Sequence, residues 1–365
     1  MTAAHDTPLQ ALVDQIQQAR RSRTPLDIRG GNTKAFYGEA PRGEPLDVRP
    51  LAGIASHEPT ELVVTARAGT PLAELEAALA RHGQWLPFEP PRFAPGGTVG
   101  GMVATALNGP ARAANGALRD HVLGLTLLNG KGELLGFGGR VMKNVAGYDV
   151  SRLVAGSLGV LGVICEVSLK VMPMPPAQLT LCFEQDQAAA LKALNTWAGR
   201  PLPLQASAWR DGMLAVRLAG SEAGVQAAAR QLGGEVMAPA AAVGFWRGLR
   251  DHGDDFFGGA RQSEAKGAAL WRLSLPSTAP ALNLPGQQLI EWGGAQRWWC
   301  TTAPAAAVRM AALQAGGHAT LFRSRDKSAG VFSPLDAPLE RIHRELKRAF
   351  DPDRILNPGR FYPWI

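Results

Sequence analysis

Leu9, Leu12, Val13 and Ile16 recur at helical spacing, which predicts a helix over residues 8–20. Residues 25–29 then read as a short strand delivered into Gly30-Gly31-Asn32-Thr33-Lys34. The apolar, β-branched run 62–69 is a second strand, and Thr70-Pro71-Leu72-Ala73-Glu74 has the composition of a helix start, with Thr70 at the cap. That helix ends near His82-Gly83. Prolines at 87, 90, 91 and 95 stiffen the lead into Pro95-Gly96-Gly97-Thr98-Val99-Gly100-Gly101, after which small apolar residues from Met102 to Leu107 predict a helix. Residues 121–128 alternate, Asn129-Gly130-Lys131-Gly132 supplies a hairpin turn, and 133–137 is the return strand. A small helix over 150–155 and a strand over 163–172 complete this half.

Beyond prolines 173, 175 and 176 the pattern changes. Strands over 179–183, 205–209, 214–218, 270–275, 288–291 and 298–302 alternate with alanine-rich helices over 187–197, 223–231 and 305–314. Such alternation predicts an antiparallel sheet covered by helices on one face. A last strand over 319–323 and a helix over 339–350 precede Asp351-Pro352-Asp353-Arg354-Ile355-Leu356-Asn357-Pro358-Gly359-Arg360. The expected division is therefore a first domain at 1–175, a second at 176–325, and a segment at 326–365 that returns to the first.

Composition narrows the class. A chain of 365 residues is long for one core, and 46% hydrophobic with 19% charged residues is an ordinary globular balance. No apolar run approaches the roughly 20 residues that cross a bilayer, and residues 1–10 lack a signal-peptide core, so a cytoplasmic protein is expected. The three cysteines (Cys165, Cys182, Cys300) lie far apart and suggest neither a disulfide framework nor a Cys-x-x-Cys metal site. The net charge of +7 is carried by scattered residues with no basic run beyond Arg20-Arg21-Ser22-Arg23. A helix end accounts for that cluster better than nucleic-acid binding does.

The candidate chemistry lies in glycine clusters. Gly96, Gly97, Gly100 and Gly101 remove side chains that would hold a ligand off the backbone, and successive N–H groups there can curl into an anion-binding nest. Arg29-Gly30-Gly31-Asn32-Thr33-Lys34 adds side-chain donors and a cation suited to phosphate. Gly156-Ser157-Leu158-Gly159-Val160-Leu161-Gly162 is a third small-residue cluster, ahead of Val163 and Ile164. Any one of them is equally a surface turn. No Gly-x-Gly-x-x-Gly joins a strand to a helix, so a Rossmann site is excluded.

Taken together, these clusters and Lys143-Asn144-Val145-Ala146-Gly147-Tyr148-Asp149 resemble the FAD-binding family of vanillyl-alcohol oxidase and p-cresol methylhydroxylase (PCMH). The match spans residues 26–173, and the tail from Asp351-Pro352 to Asn357-Pro358-Gly359 is similar to that of the family's 2-hydroxyacid branch. The resemblance implies an α+β fold: a two-subdomain PCMH-type FAD-binding domain, then a smaller α+β cap domain with an antiparallel sheet. It places Arg29 to Lys34 (Arg29, Gly30, Gly31, Asn32, Thr33, Lys34) and Pro95 to Gly101 (Pro95, Gly96, Gly97, Thr98, Val99, Gly100, Gly101) at the pyrophosphate. Ala104, Thr105 and Asn108 fall near the flavin ring or ribityl chain, and Gly159, Gly162, Val163 and Ile164 at the adenine end.

Further expectations follow from the resemblance. Its similarity to flavin subunits of bacterial glycolate oxidase implies a heteromeric complex with a catalytic flavin subunit and an iron–sulfur subunit. Glycolate, a small 2-hydroxy acid, would be oxidised to glyoxylate, and membrane association would run through the partners. A stand-alone FAD oxidoreductase of another 2-hydroxy acid or alcohol, or a flavin-free structural subunit, fits the same residues. Covalent flavin attachment in the family often uses a histidine in the first loop. Asn32 stands there and no His lies between Leu26 and Tyr37, so FAD is expected to be held non-covalently.

No catalytic base is assigned, and the His-rich metal motif of the catalytic relatives has no counterpart, so no metal is expected. His252-Gly253-Asp254-Asp255 reads as a solvated helix end and His318 as a strand start. Asn108 is as readily a turn residue as a ligand contact, and Arg119 with Asp120 reads as a structural ion pair. Arg323 and Arg325 suit a carboxylate but lie in what reads as a flexible, solvated loop. Tyr148 suits either the flavin or the core, and the tryptophans at 246, 271, 292, 298 and 299 suit core or subunit interface.

Overall fold

The computed structural model describes residues 6–139 and 148–365. Two antiparallel sheets dominate. In the five-stranded sheet the order is Ile54–Glu58, Val63–Arg67, Val163–Lys170, Val122–Leu128, Leu134–Gly138. Its central register sets Thr65 opposite Ser168, whose hydroxyls share a buried hydrogen bond of 2.8 Å. Helices Leu72–Ala80 and Val99–Thr105 bury Leu75, Leu79, Met102 and Val103 against Val64, Leu125, Val167 and Leu169. A second layer forms from helix Thr7–Ser22, through Leu12 and Ile16, over the parallel pair Leu26–Arg29 with Glu44–Asp47.

The eight-stranded sheet runs Glu235–Val236, Ala177–Glu184, Met213–Gly220, Leu204–Arg210, Gln287–Glu291, Gln296–Thr301, Ala269–Ser274, His318–Arg323. Strand alternation sends Leu214, Val216 and Leu218 to one face and Ala215 to the other. Helices Gln187–Ala198, Glu222–Leu232 and Ala305–Gln314 cover the first face, as expected. The expectation of helices on one face only is overturned. Helices Pro239–Asp251 and Asp255–Glu264 pack Trp246, Leu249, Phe256 and Phe257 onto the opposite face, together with Tyr37, Leu107 and Leu158. Their apolar pattern is broken by Gly244, Gly248, Gly258 and Gly259, which weakens helix propensity and hides them in the sequence.

One cap is also corrected. Thr70 does not cap the helix that follows; Pro71 occupies that position, and the buried Thr70 hydroxyl exchanges hydrogen bonds of 2.9 and 3.0 Å with the backbone of Gly53.

Helix Ala337–Phe350 is capped by Asp336, which accepts from Leu339 N–H at 2.9 Å, and leads into the C-terminal tail. Lys347 is fully buried, and its ammonium donates to Val160 O at 2.8 Å, Leu356 O at 2.7 Å and Asp351 at 2.8 Å. The Asp351 carboxylate in turn accepts from the N–H groups of Ile355 and Leu356. Each charge is satisfied, so the pair locks the tail rather than destabilising it. Lys347→Met leaves the carboxylate unpaired and is expected to lower unfolding free energy by about 3–5 kcal/mol, as read by urea denaturation.

Candidate functional site

The first and second glycine loops meet because neither carries a Cβ at the contact. A Cβ on Gly31 would overlap the carbonyl oxygen of Gly96, and one on Gly30 would overlap Thr98 Oγ1. A Cβ at Gly100 would lie 2.7 Å from that of Ala68, so this loop also presses onto the end of strand Val63–Arg67. The third cluster approaches the tail: a Cβ on Gly159 would lie 2.7 Å from Asn357 Nδ2.

These approaches border a half-open cleft between the loops. It is lined by Arg29, Gly30, Gly31, Asn32, Thr33 and Lys34, by Thr98, Gly100, Gly101, Ala104 and Thr105, and by Gly159, Gly162 and Ile164. All three clusters therefore face one space. Of the other candidates, Val99 and Val163 are fully buried in the core, and Pro95 and Gly96 are exposed. Gly97 is half-buried; its carbonyl accepts from Leu72 N–H at 2.8 Å. Asn108 behaves as a turn residue: Nδ2 donates to Ala106 O and Oδ1 accepts from Leu118 N–H.

The donors are distributed differently from the expected nest. In the second loop Val99 N–H donates to Thr70 O, Gly100 N–H to Ala68 O and Gly101 N–H to Thr98 Oγ1. Those groups are spent on holding the loop, and the helix begins at Val99 and stops at Thr105, where Ala106 turns left-handed (φ 45°). In the first loop the N–H groups of Gly31, Asn32, Thr33 and Lys34 have no protein acceptor among the described residues, and Asn32 is itself left-handed (φ 56°). Four successive free donors bordering a cleft are the main-chain chemistry that a diphosphate needs. In the second loop the N–H groups of Gly96, Gly97 and Thr98 also lack a protein acceptor among the described residues; of these Thr98 lines the cleft, where it forms the floor with Gly100 and Gly101.

Charge agrees with this. Asp27, Arg29, Lys34 and Arg360 are the titratable side chains of the lining, and Arg29 already pairs with Asp27 at 2.6 Å. Burial lowers Lys34 to about 8, against the opposing pull of Asp251 and Glu76. Asp27, Ile28, Ala35, Pro41, Val48, Leu158, Asn357 and Arg360 also line the cleft and were not singled out from sequence. Asn357 and Arg360 had a signal, the Asn-Pro-Gly tail, but nothing in it says which loop it meets.

The remaining candidates fall elsewhere. Residues 143–147 lie outside the described residues, and Tyr148 is 98% exposed, in neither the core nor the cleft. Asp120 caps a short turn by accepting from Ala117 N–H instead of pairing with Arg119. Trp246, Trp271, Trp298 and Trp299 are core residues, and His318 starts its strand. Among the described residues no three His, Cys, Asp or Glu side chains gather as a metal ion needs.

His252 ends helix Pro239–Asp251 as expected, but is not solvated. Its ring stacks on Phe257 at 3.6 Å and meets Phe93, Trp298 and Phe322, and burial, reinforced by Arg323, holds its pKa well below the usual imidazole value. Arg323 is likewise not in a solvated loop: its guanidinium sits 3.8 Å from the Phe36 ring centroid. Lys327 donates to the carbonyls of Phe36 and Gly38 at 2.7 and 2.6 Å, so the segment expected to be flexible is tied to the first loop.

Two outcomes are expected. Gly31→Ala forces the loops apart, costs about 1–3 kcal/mol of stability and lowers bound FAD, read by thermal denaturation and the flavin-to-protein absorbance ratio. A diphosphate seated in this cleft would favour the ammonium form of Lys34 and so raise that group's pKa on binding. FAD affinity is then flat below about pH 8, where free Lys34 is already charged, and falls as pH rises above it. Titration of flavin fluorescence between pH 6 and 10 reads this, and Lys34→Met removes the break.

The family model for an FAD binding domain matches residues 7–138. Glycolate oxidase subunit GlcD of Bacillus subtilis (strain 168) is 30% identical over 50% of this chain and 39% of its own length. A D-lactate dehydrogenase of Archaeoglobus fulgidus is 33% identical over 43% of this chain and 35% of its own. The solved structure of an alkyldihydroxyacetonephosphate synthase superposes with a TM-score of 0.65 at 15% identity, covering 96% of this chain and 74% of that one, which shows the shared fold. Glycolate oxidase subunit GlcE of Escherichia coli (strain K12) is 48% identical over 97% of both chains. With family model, fold and end-to-end similarity in agreement, the chain belongs to the GlcE family of FAD-binding, PCMH-type proteins.

Proposed function

We propose that the chain is the FAD-binding subunit of a heteromeric glycolate oxidase or dehydrogenase, supporting oxidation of glycolate to glyoxylate. The carrying observation is the run of free N–H donors at residues 31–34 facing Ala104 and Thr105, in a chain similar throughout to a glycolate oxidase subunit. When bound, FAD supplies the two-electron redox chemistry that takes a 2-hydroxy acid to a 2-oxo acid. In this reading residues 1–175 hold the cofactor, 176–325 form the cap and 326–365 return to the first unit.

The chain's own residues divide the work. Gly31 to Lys34 receive the diphosphate, Thr98, Gly100 and Gly101 form the floor, Ala104 and Thr105 border the ribityl–flavin part, and Gly159, Gly162 and Ile164 lie along the adenine end. Asn32 carries no nucleophilic imidazole, so the cofactor is held without a covalent bond.

Packing above the first loop supports placing substrate oxidation on a sister flavin subunit. Phe36, Phe93, Trp298 and Phe322 fill the space between loop and sheet with ring centroids 4.8–6.2 Å apart, and His252 among them is kept neutral. Electrons would leave for an iron–sulfur partner: three cysteines are too few for a Cys₄ set, and burial pushes Cys165 up to about 12. No helix among the described residues is long and apolar enough to cross a membrane, so attachment would run through the partners.

The purified chain is expected to show visible flavin bands and to release all its FAD on acid denaturation. The isolated FAD-loaded chain should turn glycolate over far more slowly than the whole complex. Equal rates would place substrate oxidation on this subunit, and absent flavin bands would refute the cofactor role.

A further inference from the structure

The matched FAD-binding region ends at residue 138, yet the cleft is closed by residues more than two hundred positions later. We propose that the C-terminal tail is a wall of the cofactor site: Asn357 fixes the first loop against the third, and Arg360 positions the first loop and adds a buried cation for the diphosphate. This rests on the reading of the cleft as the FAD site.

Asn357 uses both ends of its amide. Oδ1 accepts from Ile28 N–H at 2.7 Å, two residues before Gly30, and Nδ2 donates to Leu158 O at 2.6 Å, one residue before Gly159. Its own N–H donates to Leu26 O at 2.9 Å. A left-handed φ of 42°, which Asn tolerates better than most residues, points the amide inward, and the residue is only 6% exposed. One side chain therefore sets the spacing of two glycine clusters that share no other hydrogen bond among the described residues.

Arg360 is 8% exposed and works on the other end of the first loop. Nη2 donates to Ala35 O at 2.8 Å and Nη1 donates to Glu39 O, gripping the chain directly after the free N–H run. Its charge has no ion-pair partner among the described residues, because Asp27, the carboxylate of the lining, is paired with Arg29. A ligand carrying two negative charges meets Lys34 and Arg360 together. The tail is anchored independently of the ligand, through Lys347 and Asp351 and the parallel bridge between Leu26 and Leu356.

The test uses the full-length chain stripped of flavin, with variants Arg360→Met, Arg360→Lys and Asn357→Ala, and Lys34→Met as a reference inside the cleft. Dissociation constants are measured for FAD, for ADP as a diphosphate without flavin, and for riboflavin as a flavin without diphosphate, with circular dichroism as the check on folding. Loss of a charge-assisted contact predicts that Arg360→Met weakens FAD and ADP by about tenfold or more and leaves riboflavin unchanged. Arg360→Lys should recover most of that loss, and Asn357→Ala should weaken FAD with the fold intact. If Arg360→Met does not fold, the comparison of Arg360→Lys with wild type across pH and salt carries the test.

FAD and ADP affinities equal to wild type in folded tail variants, while Lys34→Met is weakened, would overturn the role of the tail alone. Equal loss of riboflavin in Arg360→Met would overturn its assignment to the diphosphate. Unchanged affinities in all variants, Lys34→Met included, would overturn the reading of the cleft itself.

Discussion

The site depends on how closely two stretches of backbone can approach. Gly31 and Gly96 touch main chain to main chain, with no volume left between them for a methyl group. Glycine acts here through thinness more than flexibility: Gly31 does not need a left-handed φ, while neighbouring Asn32 adopts one. From this contact follow the position of Thr98, the start of helix Val99–Thr105 and the side from which the free N–H groups of the first loop face the cleft. Because that contact is backbone on backbone, neither loop can shift toward the other without moving main chain.

The larger sheet holds the same loop from above. Arg217, almost wholly buried, donates to both carboxylate oxygens of Glu89 at 2.9 Å, and Glu89 also accepts from Ala111 N–H. Arg272 donates to the Tyr37 hydroxyl at 3.1 Å, and Val331 N–H donates to Glu39 at 2.6 Å. A buried ion pair such as Arg217–Glu89 contributes little net stability but selects one docking geometry over others. The aromatic cluster around His252 adds apolar area to that choice.

Much of the fold was legible because local pattern and tertiary role agree. Strand Val63–Arg67 and the hairpin Val122–Leu128 with Leu134–Gly138 read directly from β-branched alternation and the Asn129-Gly130 turn. The glycine clusters were legible as a set, since three thin segments in one half of a chain imply a shared close approach. What escaped was decided by neighbours distant in sequence. Thr70 looks like a cap, yet its hydroxyl is claimed by Gly53. His252 follows a polar helix end, and only the fold surrounds it with rings from Phe93, Phe257 and Phe322. Two donors of the second loop, those of Val99 and Gly100, looked available until the strand end at Thr70 and Ala68 consumed them.

Ile28 and Asn357 are 329 positions apart, and the bond between them spans nearly the whole polypeptide. During synthesis the first loop emerges long before its fastening exists, since Asn357 is added 329 residues after Ile28. High contact order of this kind slows productive folding. A nascent chain therefore holds Ile28 and its neighbours unfastened until Asn357 has been made and released from the exit tunnel, so this part of the fold closes late.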